Sequence, residues 1–542
     1  MAQIPYRGNL SSAIFPMSLA KAGRSVINPR VDQNFDRRVD PPGMMGDPGI
    51  PQAIYLENVL PTANGYQSVG YKPIAAGNLA AGNIVAVLKV TAPFTSVLLQ
   101  ESLLVFYSDG SIRWKTPLTG WSAVSISGTY SAPTPGTAMS WAIVRGVCYI
   151  HIGAELYTFN AGTLLNITAT LTGITMGNVS AITGSYNYLI ICKYDKVYWS
   201  STTTPTDFVP SLVSGAGSEA VTANGTWINF ARPHLSGFII FTLTNAIFVS
   251  YTGNRSYPWK FREIQESGGF EIGTLSQNTT NNATYYGITS SGQIQAVGPD
   301  RAELIGPEVT DYLERNIVYD VFTTGTASFT QAKDTNLTQA NQFQRSITFV
   351  ADRYLILSYS NSQTNSSFIP RYRFAIVYDT LLRRYGKLKV DHSAIIEFEA
   401  TGEILFINSS GNTVRKLYFD IYDQDLTNAD TSLRYQHAGV LVLGKFQERR
   451  GTLITLEQIE VESPQAATVI SPSTVVFSLK LLPSLKGKLF DAAVTPYYDA
   501  TASSDNLRVY RAHTIGVNVS LLLEGAFDLN TIAMDFVSDG SM

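Results

Sequence analysis

The chain has 542 residues, a formal net charge of -3, and 15% charged against 45% hydrophobic residues. Its length exceeds what one small core can organise, and its hydrophobic content excludes a disordered chain. The near-neutral charge balance excludes a strongly basic protein that grips a phosphate backbone, so any contact with duplex DNA would be weak and sliding.

Residues 1–55 are predicted to form an extended N-terminal arm. Prolines at positions 29, 41, 42, 48 and 51 oppose both helix and central strand. A solvated linker is one interpretation of the arm. The other is an extended strap on another subunit, because Ile27, Phe35, Met44 and Met45 are apolar anchors that a free linker does not need.

The sequence predicts neither a secretion signal nor a membrane helix. Pro16 and several serines interrupt the apolar stretch near the start of the chain. No apolar run elsewhere reaches the roughly 18 residues that a membrane helix requires.

From residue 56 to about 428, short β-branched and aromatic runs alternate with turn residues. The clearest unit runs up through Gly237–Leu243, turns at Thr244–Asn245 and returns through Ala246–Tyr251. Asn, Asp and Gly tolerate the left-handed backbone of a tight hairpin turn. Seven such turns can be placed, near Gly110, Gly153, Asp195, Asn245, Gly292, Ser366 and Gly411.

The spacing of these turns indicates a repeat. Successive turns lie 42 to 50 residues apart, except for one interval of 74 residues. A spacing of about 40–50 residues is typical of one four-stranded propeller blade. The sequence therefore predicts an all-β fold with a β-propeller of about seven blades (six to eight) over residues 56–428.

The long interval indicates an insertion at about residues 300–345. Its best helical pattern is Glu308–Asn316, which follows Pro307 and brings Val309, Tyr312 and Leu313 onto one face. A polar tract follows, so the insertion is predicted to be part helical and part polar.

Residues 429–542 are predicted to form a second, sandwich-like antiparallel β domain. The strands lengthen there, as in Gly451–Val461 and Gly516–Leu523, and they alternate apolar with polar side chains. Such alternation indicates one buried and one solvated face.

No motif in the sequence selects a catalytic, cofactor or metal site. Cys148 and Cys192 lie in apolar strands and are interpreted as buried small side chains. There is no GxxxxGK[ST] loop, and no GxSxG turn. The five histidines lack metal-ligand spacing and are interpreted as structural or surface residues: His151, His234, His392, His437 and His513.

A glycosidase is the enzymatic alternative, because propellers can carry paired carboxylates. The segment Ser108–Trp114 imitates one sialidase Asp-box in part, but a hairpin turn accounts for its Asp-Gly pair. We therefore predict no enzyme.

Several segments resemble the β-propeller tail-nozzle proteins of short-tailed bacteriophages, also called tail tubular protein B or packaged-DNA stabilisation proteins. The resemblance extends over roughly residues 55–420 as a pattern of blades. Its segments are Val197–Pro210, Gly237–Ile247, Phe261–Ile264, Gly268–Gly269 and Ala375–Leu388.

The resemblance implies a structural virion protein made in the host bacterial cytoplasm and located in the viral tail. It implies a homo-hexamer below the head-to-tail adaptor that closes the DNA exit channel, retains the genome and conducts DNA on ejection. The implied partners are this adaptor (connector), the tail fibres or spikes, the tail tip or needle, and transiently the genomic double-stranded DNA. A receptor- or glycan-binding tail module is the second alternative besides a glycosidase.

Overall fold

The computed structural model describes 15–16, 53–61, 66–74, 83–93, 99–221, 227–276, 284–305, 319–323, 328–332, 346–361, 372–381, 384–408, 413–418 and the strands between 436 and 541. The predicted helix at 308–316 lies outside these residues. Within them the chain is almost entirely β-strand, with one 3-10 turn at Thr168–Thr170. None of the described helical structure is long and apolar enough to cross a membrane.

Five strands precede the first complete blade, and they join sheets formed by later parts of the chain. They are β1 (Phe15–Pro16), β2 (Ala53–Glu57), β3 (Val59–Pro61), β4 (Tyr66–Ser68) and β5 (Gly70–Ile74).

Seven antiparallel sheets of four core strands follow one another along the chain as blades 1 to 7. Blade 1 contains β6 (Ile84–Pro93), β7 (Leu99–Tyr107), β8 (Ile112–Lys115) and β9 (Ser122–Ala123). Blade 2 contains β10 (Ser125–Ser127), β11 (Met139–Val144), β12 (Val147–Ile152), β13 (Glu155–Asn160) and β14 (Thr163–Asn166). Blade 3 contains β15 (Val179–Ser185), β16 (Tyr188–Lys193), β17 (Lys196–Trp199) and β18 (Gly217–Ala220). Blade 4 contains β19 (Ile228–His234), β20 (Gly237–Thr242), β21 (Ala246–Tyr251) and β22 (Trp259–Glu263).

Blades 5 to 7 follow, and a hairpin that belongs to the insertion lies between blades 5 and 6 along the chain. Blade 5 contains β23 (Phe270–Leu275), β24 (Tyr285–Thr289), β25 (Ile294–Val297) and β26 (Ala302–Leu304), and the hairpin consists of β27 (Tyr319–Thr323) and β28 (Ser328–Ala332). Blade 6 contains β29 (Ser346–Val350), β30 (Tyr354–Asn361), β31 (Tyr372–Asp379) and β32 (Arg384–His392). Blade 7 contains β33 (Ala394–Phe398), β34 (Glu403–Asn408) and β35 (Thr413–Tyr418), and its fourth strand is β5.

The second strand of each blade is the most buried, because neighbouring blades cover both of its faces. All six residues of β20 are buried, and so are the first five of β16. Strands buried on both faces show continuous apolar runs instead of alternation. This arrangement explains the Leu-Ile-Ile and Phe-Ile-Ile runs that mark blades 3 and 4 in the sequence.

Apolar packing continues from blade to blade around a closed ring. Blade 5 meets blade 6 through the stacked rings of Tyr286 and Phe349, whose centroids are 4.8 Å apart. The other six interfaces are buried clusters that include Phe106 with Phe159, Leu156 with Leu189, Tyr188 with Phe238, Phe241 with Phe270, Ile356 with Phe406, and Phe398 with Tyr107. The fold is therefore a seven-bladed β-propeller, as the turn spacing predicted.

Charged groups also join the first and last blades. Lys89 Nζ lies 2.7 Å from the Glu101 carboxylate and 2.9 Å from that of Glu399. Glu101 in turn accepts hydrogen bonds from the backbone N–H groups of Glu399 and Ala400. These contacts, together with β5, close the ring.

The C-terminal strands form two five-stranded antiparallel sheets, each of which takes one strand from the N-terminal region. One sheet has the order β1-β45-β38-β41 with β42 also on β38, and the other has the order β2-β37-β43-β39-β40. Two further strands extend blades: β36 pairs with β5, and β44 pairs with β4. Their bounds are β36 (Gln436–His437), β37 (Gly439–Phe446), β38 (Thr452–Glu462), β39 (Phe477–Pro483), β40 (Tyr498–Ala502), β41 (Asn506–Tyr510), β42 (Thr514–Gly516), β43 (Val519–Gly525), β44 (Asp528–Leu529) and β45 (Thr531–Ser541).

Candidate functional site

Two of the dispersed histidines are buried, and each contacts a serine. His392 Nε2 lies 2.7 Å from Ser358 Oγ, and its Nδ1 lies 2.7 Å from the Val390 carbonyl oxygen. His151 Nε2 lies 2.6 Å from the Gly153 carbonyl oxygen. Burial lowers the pKa of each imidazole to about 4. Neither ring is exposed to solvent, so these Ser–His pairs cannot meet a substrate in this state and instead tie strands together.

The two cysteines lie in different inter-blade clusters. Cys148 packs between blades 1 and 2, and Cys192 packs between blades 3 and 4. Burial raises the pKa of both thiols, that of Cys192 to about 12. A thiol that stays protonated is a poor nucleophile.

The partial Asp-box segment forms the turn between β7 and β8. The Asp109 carboxylate accepts hydrogen bonds from Ser111 N–H at 2.8 Å and Ser111 Oγ at 2.7 Å, which lowers its pKa. Gly110 adopts a φ of 85° at the tip. The carboxylate therefore stabilises a hairpin. No group of three or more His, Cys, Asp or Glu residues suited to a metal ion occurs within the described residues.

The strongest candidate site is a cleft of about 550 Å³ beside blades 3 and 4, which we call the blade 3–4 cleft. One wall is the loop 200–216 between β17 and β18, and the other is the turn 252–258 between β21 and β22. Its lining residues are Trp199, Pro210, Ser211, Leu212, Gly215, Ala216, Gly217, Ser218, Glu219, Arg255, Ser256, Tyr257, Pro258 and Trp259. Concave surfaces of this size that mix apolar walls with a few polar groups are typical ligand or partner sites.

The first wall is anchored at one end by Phe208. This ring is buried in the cluster between blades 2 and 3, and its N–H donates to the Thr172 carbonyl oxygen at 2.9 Å. The Asp207 carboxylate next to it accepts from Thr172 Oγ1 at 3.0 Å. The loop is thereby fastened to the segment that leaves blade 2.

The other end of this wall is anchored on Trp199. The Trp199 indole Nε1 donates to the Gly215 carbonyl oxygen at 2.9 Å. A Cβ atom at Gly217 would lie 2.8 Å from the same indole, so the close approach requires glycine there. Between the two anchors the loop exposes Val213 and Leu212, with 88% and 75% of their surface accessible.

The second wall is a turn held by its own polar groups. Thr252 N–H donates to the Pro258 carbonyl oxygen at 2.9 Å, and Asn254 Oδ1 accepts from Ser256 N–H at 2.9 Å. The turn presents Tyr257, which is 76% exposed. Behind it Trp259 packs edge-on against Phe238, with ring centroids 5.1 Å apart.

Three polar groups of the cleft lack partners within the described structure. Arg255 and Glu219 are exposed to solvent and form no ion pair or side-chain hydrogen bond with a described residue. The buried Nε1 of Trp259 also has no hydrogen-bond acceptor. A buried unpaired donor costs on the order of 1–3 kcal/mol, so the Trp259 indole N–H calls for an explanation such as a ligand or partner.

By sequence pattern alone, the polar segment 202–210 and the Gly/Ser-rich segment 214–218 are predicted only to connect strands. Local pattern does not reveal the cleft, because its walls depend on Phe208 reaching blade 2 and Trp199 reaching Gly215. The sequence offers one indication of the cleft: Val209, Leu212 and Val213 place three apolar side chains within five residues, which is more than a solvated loop requires.

Replacing Phe208 with alanine is expected to release the first wall. The substitution removes a buried ring and leaves a cavity between blades 2 and 3. Limited proteolysis followed by mass spectrometry should then show cleavage within 200–216 at least about tenfold faster than in the unaltered protein. A decrease of about 1.4 kcal/mol in the free energy of local opening is enough for this change.

Val213→Ala is the matched control, because the same loop exposes that side chain. Its cleavage rate should stay unchanged. Equal rates for Phe208→Ala and Val213→Ala would show that Phe208 does not hold the loop.

No protein-family model matches the chain, and no curated protein matches it. Among solved structures, the WD40 β-propeller domain of Doa1 has 10% identity and a TM-score of 0.33, covering 63% of this chain and 98% of that chain. BBS1N in complex with ARL6DN has 8% identity and a TM-score of 0.36, covering 66% and 98%. BamB from Moraxella catarrhalis has 6% identity and a TM-score of 0.34, covering 69% and 99%. Such low similarity carries no functional argument, and the propeller assignment rests on strand order and ring closure.

Proposed function

We propose that this β-propeller protein is the tail nozzle of a short-tailed bacteriophage. In this proposal six copies form a ring below the head-to-tail adaptor, close the DNA exit channel, retain the packaged genome and conduct DNA on ejection. The protein acts as a structural element of the virion and is not an enzyme.

The observation that carries the proposal is that strands from the N-terminal region pair both with the propeller and with the C-terminal sheets. Strands β1 and β2 complete the two C-terminal sheets, and β5 completes blade 7. The sheet of blade 6 also continues through β3 and β4 to β44. A continuous hydrogen-bonded link between propeller and C-terminal strands suits a ring subunit that must resist the force of packed DNA.

The segments that carry the family resemblance support the same role. Val197–Pro210 covers most of β17 and residues 200–210 of the first wall, and Gly237–Ile247 covers β20, the turn and the first two residues of β21. Ala375–Leu388 covers most of β31 and the first half of β32. The small net charge of -3 also suits a channel along which DNA slides.

Light scattering on the purified protein, alone and with the adaptor of the same virion, tests the proposal. We expect a particle of six times the 59.2 kDa of one chain, either spontaneously or on the adaptor. A monomer that persists in both conditions would overturn the nozzle proposal.

Deleting residues 28–51 tests the arm separately. Loss of the ring with an intact monomer fold would support a strap between subunits. An unchanged ring would make the segment a linker and leave the nozzle proposal standing.

A further inference from the structure

We propose that the outer edge of blade 3 binds an extended peptide of a partner protein, which adds a fifth strand to β18 and places an apolar side chain in the blade 3–4 cleft. This site goes beyond the nozzle proposal and does not depend on it.

Other blades of this protein already take a fifth strand at the same position. In blade 2, β10 pairs in parallel with the outer strand β14. In blade 6, β3 pairs with β32, and in blade 7, β36 pairs with β5. Three of the seven blades thus carry a further strand at the outer edge.

Blade 3 lacks such a cover within the described residues. Strand β18 pairs only with β17 there, so its outer edge leaves N–H and C=O groups free to pair. Natural edge strands are commonly protected by charged side chains. Blades 1, 4 and 5 also end on an outer strand without a further strand among the described residues. Of these, the outer strand of blade 4 carries Lys260, Arg262 and Glu263, whereas β18 reads Gly-Ser-Glu-Ala and has one charge, as β26 of blade 5 has.

The open edge and the cleft form one surface. Gly217, Ser218 and Glu219 of β18 all line the cleft. Side chains of an added strand alternate in direction, so every second residue of a bound peptide points toward the cleft. There it would meet the exposed Leu212 and Tyr257, which supply an apolar contact for an anchor side chain.

The free charges specify the partner further. Glu219 of β18 and Arg255 of the second wall both line the cleft, and neither forms an ion pair with a described residue. A peptide with an acidic and a basic side chain flanking its apolar anchor complements both. Charge complementarity at such a rim selects register and partner more than it adds affinity.

A peptide fits this surface better than a glycan does. Trp199 and Trp259 are only 7% and 5% exposed, so neither offers an indole face to a sugar ring. Leu212 and Val213 add aliphatic surface, and a free strand edge offers a row of backbone groups that only another backbone can match.

Selection of random dodecapeptides displayed on yeast against the full-length protein tests the proposal. We expect enriched sequences with an apolar anchor between an acidic and a basic residue. Synthetic copies should bind in fluorescence anisotropy, and Leu212→Asp or Tyr257→Ala should weaken binding at least about tenfold, as truncation of a central anchor does. Each peptide should be made in two N-methylated forms, one with every odd amide methylated and one with every even amide methylated. Only the form whose methylated amides face β18 should lose binding, because it cannot pair with the strand.

Leu118→Asp is the matched control, since Leu118 is 81% exposed on blade 1 and far from the cleft in the strand order; its binding should not change. The proposal fails if no peptide is enriched, if enriched peptides bind Leu212→Asp as tightly as the unaltered protein, or if N-methylation has no effect in both registers. Glycan-array binding that Tyr257→Ala removes, without peptide binding, would also overturn it.

Discussion

Replacing Tyr71 with alanine is expected to lower the free energy of unfolding by about 3–5 kcal/mol, the usual cost of removing a large buried ring. Tyr71 lies in β5, the N-terminal strand that completes blade 7. Its ring meets Phe406 edge to face, with centroids 5.5 Å apart, inside the cluster shared by blades 6 and 7. The substitution therefore weakens blade 7, whose fourth strand comes from the N-terminal side of blade 1.

Chemical denaturation followed by intrinsic fluorescence measures this loss. Leu118→Ala, at an exposed position, should change stability by no more than about 0.5 kcal/mol. If Tyr71→Ala behaves like Leu118→Ala, β5 does not contribute to closing the ring in solution.

The blade count could be predicted from sequence because each blade repeats one local signal. The seven predicted turns all fall between the second and third strands of successive blades. Gly110 and Gly153 show why, since both adopt positive φ values, 85° and 58°, that other residues rarely adopt. The segments around Ser366 and Gly411 lie outside the described residues, but the strands on either side of each one pair.

The closing strand could not be predicted in the same way. Strand β5 lies just before blade 1 in sequence, yet Ile74 pairs with Val414 at the far end of the propeller. Strand periodicity predicts that a segment is a strand but not which distant strand it pairs with. The blade 3–4 cleft escaped prediction for the same reason, because contacts such as Trp199 with Gly215 depend on tertiary structure.

Acid should destabilise the propeller through His151 and His392 before most carboxylates titrate. Burial lowers the pKa of both rings to about 4, although the Gly153 and Val390 carbonyl groups and Asp391 favour the charged form. In the unfolded chain each imidazole titrates near pH 6.5. Between these values the unfolded state binds more protons than the native state, so the stability present above about pH 6.5 is lost as the pH falls toward about 4.

The expected loss at pH 5 is roughly 2 kcal/mol for each histidine, from a difference of about 1.5 pH units at 1.36 kcal/mol per unit. Burial raises the pKa of Glu397, so that carboxyl group acts in the opposite direction. For this reason the test compares two proteins: unfolding free energies at pH 7.5 and 5 for the unaltered chain and for His392→Gln, which keeps polar atoms near Ser358 but does not titrate. The variant should lose roughly 2 kcal/mol less between the two pH values. Equal losses would mean that His392 is protonated in the native state or is not buried in solution. In the second case water would reach the interface between blades 6 and 7.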